Sequence, residues 1–220
     1  MYEVSELAVD GTGEVNQTSD MSQVLAKKRI YLKLKRAFDI VFSLIGLIVC
    51  FIPMIVIAIV VKLDSPGPAL FKQERLGKDG KKFMMYKFRS MIINAEAGGP
   101  KWAAENDNRC TKLGRILRVY RIDELPQLIN IFKGDMSIVG PRPEREYFYN
   151  EFEKYIPHFR ARLQVKPGLT GHAQVNGGYK LKPEEKIVYD MEYIEKQSLL
   201  FDIKIIIKTI VVVFTHKGAR

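Results

Sequence analysis

Cysteine is scarce: two residues, Cys50 and Cys110, in a chain of 220. One lies in an apolar stretch and the other in a polar one, which excludes a disulfide framework and indicates a reducing compartment. Histidine is equally sparse. His158, His172 and His216 do not fall at metal-ligand spacing, so they read as ordinary polar residues. No internal repeat is present, which sets aside solenoids and propellers. Basic residues are missing from positions 1–26, which hold Glu3, Glu6, Asp10, Glu14 and Asp20 and no Lys or Arg. The formal net charge of +10 therefore hides a strongly basic body: the 35 Lys and Arg all lie beyond residue 26, against 20 acids, giving +15 there. With little periodic apolar content, residues 1–26 read as a disordered acidic arm.

Charge is also absent from Ile40 to Val61, a run of 22 residues. As helix this run measures roughly 33 Å, the thickness of a bilayer's hydrocarbon core. Its flanks are basic on both sides: Lys27, Lys28, Arg29, Lys33, Lys35 and Arg36 before it, and Lys62, Lys72, Arg75 and Lys78 after it. Lys and Arg favour the cytoplasmic side, so two basic flanks place both ends together. Pro53 removes a donor and crowds the preceding turn. A helix that enters the membrane, breaks near Ile52-Pro53 and returns accounts for this pattern. A plain span with a tolerated proline accounts for it equally, and a buried helix of a soluble protein less well. The run begins too far into the chain for a signal peptide, and no small-residue cleavage site follows it.

Lys27 to Asp39 carries Ile30, Leu34, Ala37 and Phe38 at helical spacing among basic residues, an interfacial amphipathic helix leading into the apolar run. Residues 27–63 thus form a membrane-directed unit, and 64–220 a separate polar domain. "DSPGP" ends the apolar helix. "ALFKQERLG" and "KKFMMYKFRSM" around "KDG" predict a hairpin, with Lys87 and Arg89 on one strand face. A solvated basic face is the simplest account of that pair. Asn94 to Thr111, with Trp102, reads as a loop, short helix or flap. "KLGRILRVY" is an amphipathic helix, and "DELPQLINIF" starts another with Pro126 in its first turn. "MSIVG" is a short strand, and "PRPE" holds Arg142 between Pro141 and Pro143. The run from Leu163 to Tyr179 reads as turns and short strands between two helical stretches. The final apolar stretch, interrupted by Asp202, Lys204 and Lys208, is a helix packed on the domain or lying on a membrane. A basic body of this kind suits anionic headgroups or a phosphorylated ligand. Nucleic acid is disfavoured because the basic residues are scattered rather than striped.

Asp123 and Glu124 are adjacent acids at a helix start. One account makes Asp123 the N-cap and Glu124 a first-turn acid complementing the helix dipole. Another takes note of Arg118, Arg121 and Arg142 nearby: a carboxylate among arginines at a helix N-terminus is a place to hold a phosphate and a divalent metal, and carboxylates serve as phosphoryl-accepting nucleophiles. Arg142 is open to either a structural pairing or a phosphate contact.

Several segments, in order, resemble the bacterial sugar transferase family, the monotopic polyprenyl-phosphate phosphoglycosyltransferases: "KRAFDI", "SPGPALFKQERLG", "YKFRSM", "LGRILRVYRIDELPQLINIFKGDMSIVGPRPE", "VKPGLTGHAQVNG" and "YIEKQSLLFDIKIIIKT". They span about residues 35 to 210, and the likeness is to the short form. The resemblance implies an α+β, membrane-associated, mostly helical catalytic domain with a small hairpin and an N-terminal re-entrant helix-break-helix segment broken at Pro53. It implies transfer of a sugar 1-phosphate from a UDP-sugar to polyprenyl (undecaprenyl) phosphate, with release of UMP, on the cytoplasmic face of the bacterial inner membrane. Asp123 would be the nucleophile and a Mg²⁺ ligand, and Glu124 its helper. Arg118, Arg142, Pro141, Lys87 and Arg89 would bind phosphate or nucleotide. Membrane lipid is an implied partner, and a homodimer is left open. Gly178 departs from the pattern, standing where many members carry arginine. The competing accounts are a non-catalytic basic membrane-anchored module that binds anions or a partner, and a glycosyltransferase that releases UDP.

Overall fold

A computed structural model of the chain describes residues 15–99 and 107–215. It is mostly helical with two small sheets. Helix α1 (Val15–Val49) is followed by α2 (Phe51–Asp64), and an antiparallel hairpin comes next, β1 (Leu70–Leu76) and β2 (Lys82–Phe88). Then come α3 (Lys112–Val119), α4 (Gln127–Lys133), β3 (Ser137–Val139), α5 (Glu146–Glu153), β4 (Gly168–Thr170), α6 (His172–Asn176), α7 (Pro183–Lys196) and α8 (Leu199–Thr215). Strand β3 pairs β4 in parallel, Ser137 against Gly168 and Val139 against Thr170. Residues 1–14 of the expected acidic arm, Trp102 of the expected flap and the last five residues lie outside the described part. Residues 15–26, read from the sequence as part of that arm, belong to α1 instead. No glycine or proline follows Gly13 there, so nothing in the sequence interrupts the helix.

The apolar run is indeed broken, but at Cys50 rather than at Ile52-Pro53. Cys50 has φ −87° and ψ 2°, and the two helices meet there with a bend of 61°. Pro53 sits in the first turn of α2, where its missing donor is harmless. Its ring excludes the turn that would have bonded to Val49, so the break falls one residue after Val49. No single described helix is long and apolar enough to cross a membrane; α1 and α2 reach that length and composition only as a bent pair. The outer faces of both are apolar and exposed, including Ile48, Val49, Phe51 and Ile52 at the bend.

The inner stripe of α1 is polar and fastened to the domain. Asp202 of α8 accepts from Tyr31 Oη (3.0 Å), Lys35 Nζ (2.8 Å) and, from α7, Tyr193 Oη (2.8 Å). Arg36 donates to the carbonyls of Ile131 and Phe132 (2.7 and 2.8 Å) at the end of α4. Asp39 accepts from Ser137 Oγ (3.0 Å) and the Ile138 amide (2.9 Å) on β3. Gly46 allows the helices to touch, since a Cβ there would lie 3.0 Å from Leu128 Cδ1 of α4.

Three apolar clusters carry the domain. The main one joins β2, α4, β3, α7 and α8 around Ile131, Met136, Val139, Tyr193 and Ile205. A second joins the hairpin tip at Leu76 to α5 and the turn after it, through Tyr149 and Phe159. The third packs Val61 of α2 against Phe88 and Leu117. Burying one such side chain stabilises the fold by about 1.5–3 kcal/mol. Helix α8 buries Asp202 and Ile205 but leaves Leu200, Ile207 and Phe214 exposed, an amphipathic helix as the interrupted apolar stretch predicts.

Candidate functional site

Helix α3 starts at Thr111, whose hydroxyl accepts from the Gly114 amide at 2.9 Å. It lies directly on the loop after β2, because a Cβ at Gly114 would meet the Ser90 carbonyl oxygen at 1.9 Å. The helix ends at Val119, and Arg121 then takes a left-handed conformation (φ 56°). That turn sends Ile122–Glu124 into a single 3₁₀ turn before α4. Asp123 is therefore not an N-cap. The cap position of α4 is Pro126, with no side-chain cap bond, and the cap of the 3₁₀ turn is Arg121. Neither acid serves a helix end.

Both acids are buried, at 6% exposure each, yet their surroundings differ. Glu124 is held by Arg142, whose guanidinium pairs with both carboxylate oxygens, and by Lys87 Nζ at 3.5 Å. Burial alone would raise its pKa, but Arg142 and Lys87 outweigh burial and hold it below the usual carboxylate range. Among the described residues no side chain donates a hydrogen bond to the Asp123 carboxylate. Burial and the neighbouring Glu124 charge push the Asp123 pKa up, against the pull of Lys87, Arg118 and Arg142. Two adjacent buried acids are thus shifted in opposite directions, Glu124 held as the anion by its cationic partners and Asp123 not.

Asp123 opens onto a cavity of about 620 Å³ whose wall includes Lys87, Arg118, Arg121 and Arg142. Arg118 also donates to Cys110 Sγ at 2.9 Å. The structure thus gathers Asp123, Arg118, Arg142 and Lys87 around one space, with Glu124 behind them against Arg142 and Lys87. The other expected residues lie differently. Pro141 is not part of the cavity wall; its carbonyl accepts from the Gly168 amide at 2.9 Å and seats the "PRP" loop on the parallel strand pair. Arg89, expected beside Lys87, lines the cavity edge but spends its guanidinium on the carbonyls of Val61 (3.0 Å), Ser65 and Pro66 (2.8 Å), closing the end of α2. Pro53 lies in α2 and forms no part of the cavity wall.

Sequence reading overlooked the far wall. Arg75 pairs with Glu144 (3.0 Å), and Arg162 of the turn after α5 meets Asp190 of α7 (2.8 Å). Both pairs line the cavity with Gln174. The only signal was a charge inside an otherwise apolar periodic face, as at Asp190 between Ile187 and Ile194. Among the described residues no three His, Cys, Asp or Glu side chains form a metal-binding group. The donor set fits magnesium nonetheless: this ion takes one or two carboxylates and completes its shell with water and substrate phosphates. Asp123, facing the cavity, would supply the carboxylate.

Residues 30–216 match the bacterial sugar transferase family. The chain is 39% identical, over its whole length and 53% of the relative, to the UDP-N-acetylgalactosamine-undecaprenyl-phosphate N-acetylgalactosaminephosphotransferase of Aeromonas hydrophila. It is 43% identical, over 84% of the chain and 41% of the relative, to the UDP-glucose:undecaprenyl-phosphate glucose-1-phosphate transferase of Escherichia coli. A putative undecaprenyl-phosphate N-acetylgalactosaminyl 1-phosphate transferase of Bacillus subtilis is 54% identical over 60% of the chain and 74% of its own length. The chain spans about half, or less, of the first two of these relatives. With its motif-bearing turn, its cation-lined cavity and a match covering residues 30–216, the chain belongs to the bacterial sugar transferase family.

Proposed function

We propose that the chain transfers a sugar 1-phosphate from a UDP-sugar to a polyprenyl phosphate, releasing UMP, through a phosphosugar ester on Asp123. The observation that carries this reading is the pairing of a fixed and a reactive acid in one turn. Glu124 is neutralised by Arg142 and Lys87, while the Asp123 carboxylate faces a cationic cavity and, among the described residues, receives no side-chain hydrogen bond. One Asp123 oxygen bonds to the β-phosphorus. The bond from that phosphorus to the bridging oxygen breaks, and its electron pair leaves with UMP. An oxygen of the lipid phosphate then attacks the same phosphorus, and the Asp123 carboxylate is released. Arg118, Arg121, Arg142 and Lys87 face the phosphates and offset the charge that collects on their oxygens. Magnesium held by Asp123 would supply further charge neutralisation on the diphosphate.

The names of the relatives support a hexose or an N-acetylhexosamine as the sugar, and undecaprenyl phosphate as the acceptor. Such a product begins a lipid-linked glycan for capsule, exopolysaccharide or glycoprotein. The bent pair supports a re-entrant seating in the inner membrane with the catalytic domain on the cytoplasmic side. Each arm is fastened to the domain, α1 through Lys35, Arg36 and Asp39 and α2 through Arg89, which supports both outer ends lying on the domain's side of the membrane. Single cysteines at Ile30 and Leu63, both exposed, should be labelled from the cytoplasm alone; labelling from opposite sides would establish a plain span.

The reaction is tested with radiolabelled UDP-sugars, undecaprenyl phosphate and magnesium in detergent. Labelled lipid and UMP in equal amounts are the expected products. Release of UDP would replace this reaction with a glycosyl transfer, and no nucleotide turnover with any UDP-sugar would leave a binding module.

A further inference from the structure

The cavity is long, and its two ends are made differently. The hairpin measures it: Leu70 pairs with Phe88 beside α2, and Leu76 pairs with Lys82 at the tip, a separation of roughly 20 Å for seven residues of strand. Cavity-wall residues run from Phe71 and Arg89 at the α2 end to Arg75 near the tip. The α2 end is rimmed by exposed apolar side chains, Phe71, Ile92 and Ile93. The far end is polar and deeply buried. Arg162 and Asp190 are 2% and 1% exposed and form a buried ion pair, Arg162 Nε to Asp190 Oδ2 at 2.8 Å, on the cavity wall. Gln174 donates its Nε2 to the Leu169 carbonyl at 3.0 Å, while its Oε1 is buried without a donor. A buried polar atom left without a partner is costly and rare in native proteins, and one on a cavity wall beside a buried ion pair is ready to bond a ligand.

We infer that this far end, built from Gln174, Arg162 and Asp190, holds the hydroxyl groups of the sugar ring. The inference rests on the phosphosugar transfer proposed above. In that reaction UMP departs from the side of the phosphorus opposite Asp123. The lipid phosphate must later attack from that same side, because Asp123 is then the leaving group. A lipid acceptor reaches the cavity from the end beside α2. The leaving oxygen of UMP and the attacking oxygen of the acceptor therefore occupy the same apical position in turn on the α2 side, and the sugar, held on an equatorial oxygen through both steps, is left the polar end. Arg162 stands at the right place for this, since its Nη2 donates to the backbone carbonyl of Arg142 (3.0 Å), the residue that fixes Glu124. Gly178 lines the same end and contributes no side chain to it.

The test uses the full-length enzyme with its preferred UDP-sugar, UMP, and UDP-sugars lacking one ring hydroxyl. Gln174→Leu should lower kcat/KM for the UDP-sugar by about 3- to 10-fold, the loss of one hydrogen bond, with thermal protection by UMP unchanged. On the wild-type enzyme at least one deoxy analogue should lose a similar factor, and Gln174→Leu should no longer distinguish it from the parent sugar. Equal weakening of UMP protection would assign the far end to the nucleoside and overturn the inference. So would a full set of deoxy analogues that all turn over like the parent on the wild-type enzyme, which needs no variant to fold. Wild-type enzyme that releases no UMP from any UDP-sugar overturns the transfer itself, and this inference with it.

Discussion

The seam between α1 and the domain and the wall of the cavity both bury charge, and they treat it in opposite ways. Along the seam the buried carboxylates are satisfied and Arg89 spends both its terminal nitrogens. Asp202 takes three donors, Asp39 takes two, and at the far side of the bend Arg89 caps the carbonyls that end α2. Along the cavity, among the described residues, no side chain donates a hydrogen bond to the Asp123 carboxylate and Gln174 Oε1 has no donor. Satisfied charges specify how two helices sit on a domain. Unsatisfied groups cost free energy that a ligand can recover; Gln174 Oε1 lies on the wall of the space where phosphate and sugar are expected, whereas the buried Gln127 amide on α4 lies away from it.

The largest expected effect breaks the cavity side of this contrast. Asp123→Asn removes the nucleophile and little volume, and should lower turnover at least about 10³-fold in the UMP-release assay. Its stability should not fall. A carboxylate whose pKa is raised in the fold is less stable there as an anion than in the unfolded chain, so the neutral amide should gain on the order of 1 kcal/mol at neutral pH. Chemical unfolding in detergent measures this; a variant both active and destabilised would place Asp123 among the satisfied charges.

The mirror experiment breaks the seam. Asp202→Ala strands Lys35, Tyr31 and Tyr193 together, and should destabilise the protein by about 3 kcal/mol. Turnover per folded molecule should stay within a few-fold of wild type, because none of these groups lines the cavity. A variant of unchanged stability would show that the three donors find water instead.

Glu124 sharpens the contrast, since it is a satisfied charge directly behind the cavity wall. The reactive form of Asp123 is its anion, so the first half-reaction should fall as pH drops through a pKa above the usual carboxylate range of about 4. Glu124→Gln removes the like charge next door and frees Arg142 and Lys87 to act on Asp123. Both changes favour the anion, so the acid limb should move about one pH unit lower. A limb that stays in place would mean that burial alone sets the Asp123 pKa.

The parts of this contrast differ in how clearly the sequence announced them. Periodicity placed the hairpin, α3, α5, α7 and the amphipathic α8 because each satisfies a local pattern. The adjacent acids and nearby arginines were equally plain. What local pattern does not carry is which cation faces which partner. Lys87 and Arg89 lie two residues apart, yet Lys87 meets Glu124 while Arg89 closes α2. The choice is made by where α2 ends, not by spacing. The same holds for Arg162 and Asp190, 28 positions apart, and for Asp202, whose partners come from α1 and α7. Left-handed Arg121, which turns Asp123 out of its expected cap, is also set by the chain's path rather than by residue type.

The smallest effect concerns the bend itself. If the break at Cys50 depends on Pro53, restoring a donor there should relax it. Pro53→Ala lets residue 53 bond to the Val49 carbonyl and join the existing bonds from Cys50 to Gly46 (2.9 Å) and Met54 to Cys50 (2.8 Å) into one continuous ladder. Two forces oppose straightening. Arg89 and the Val61–Phe88 packing hold the far end of α2, and the Lys35, Arg36 and Asp39 contacts hold α1. The substitution should therefore cost no more than about 1 kcal/mol and widen the distribution of distances between spin labels at Ile45 and Ile59 without moving its centre to that of a straight helix. A shift to the straight-helix distance would show that the proline, and not the clamps on either side, sets the geometry of the pair.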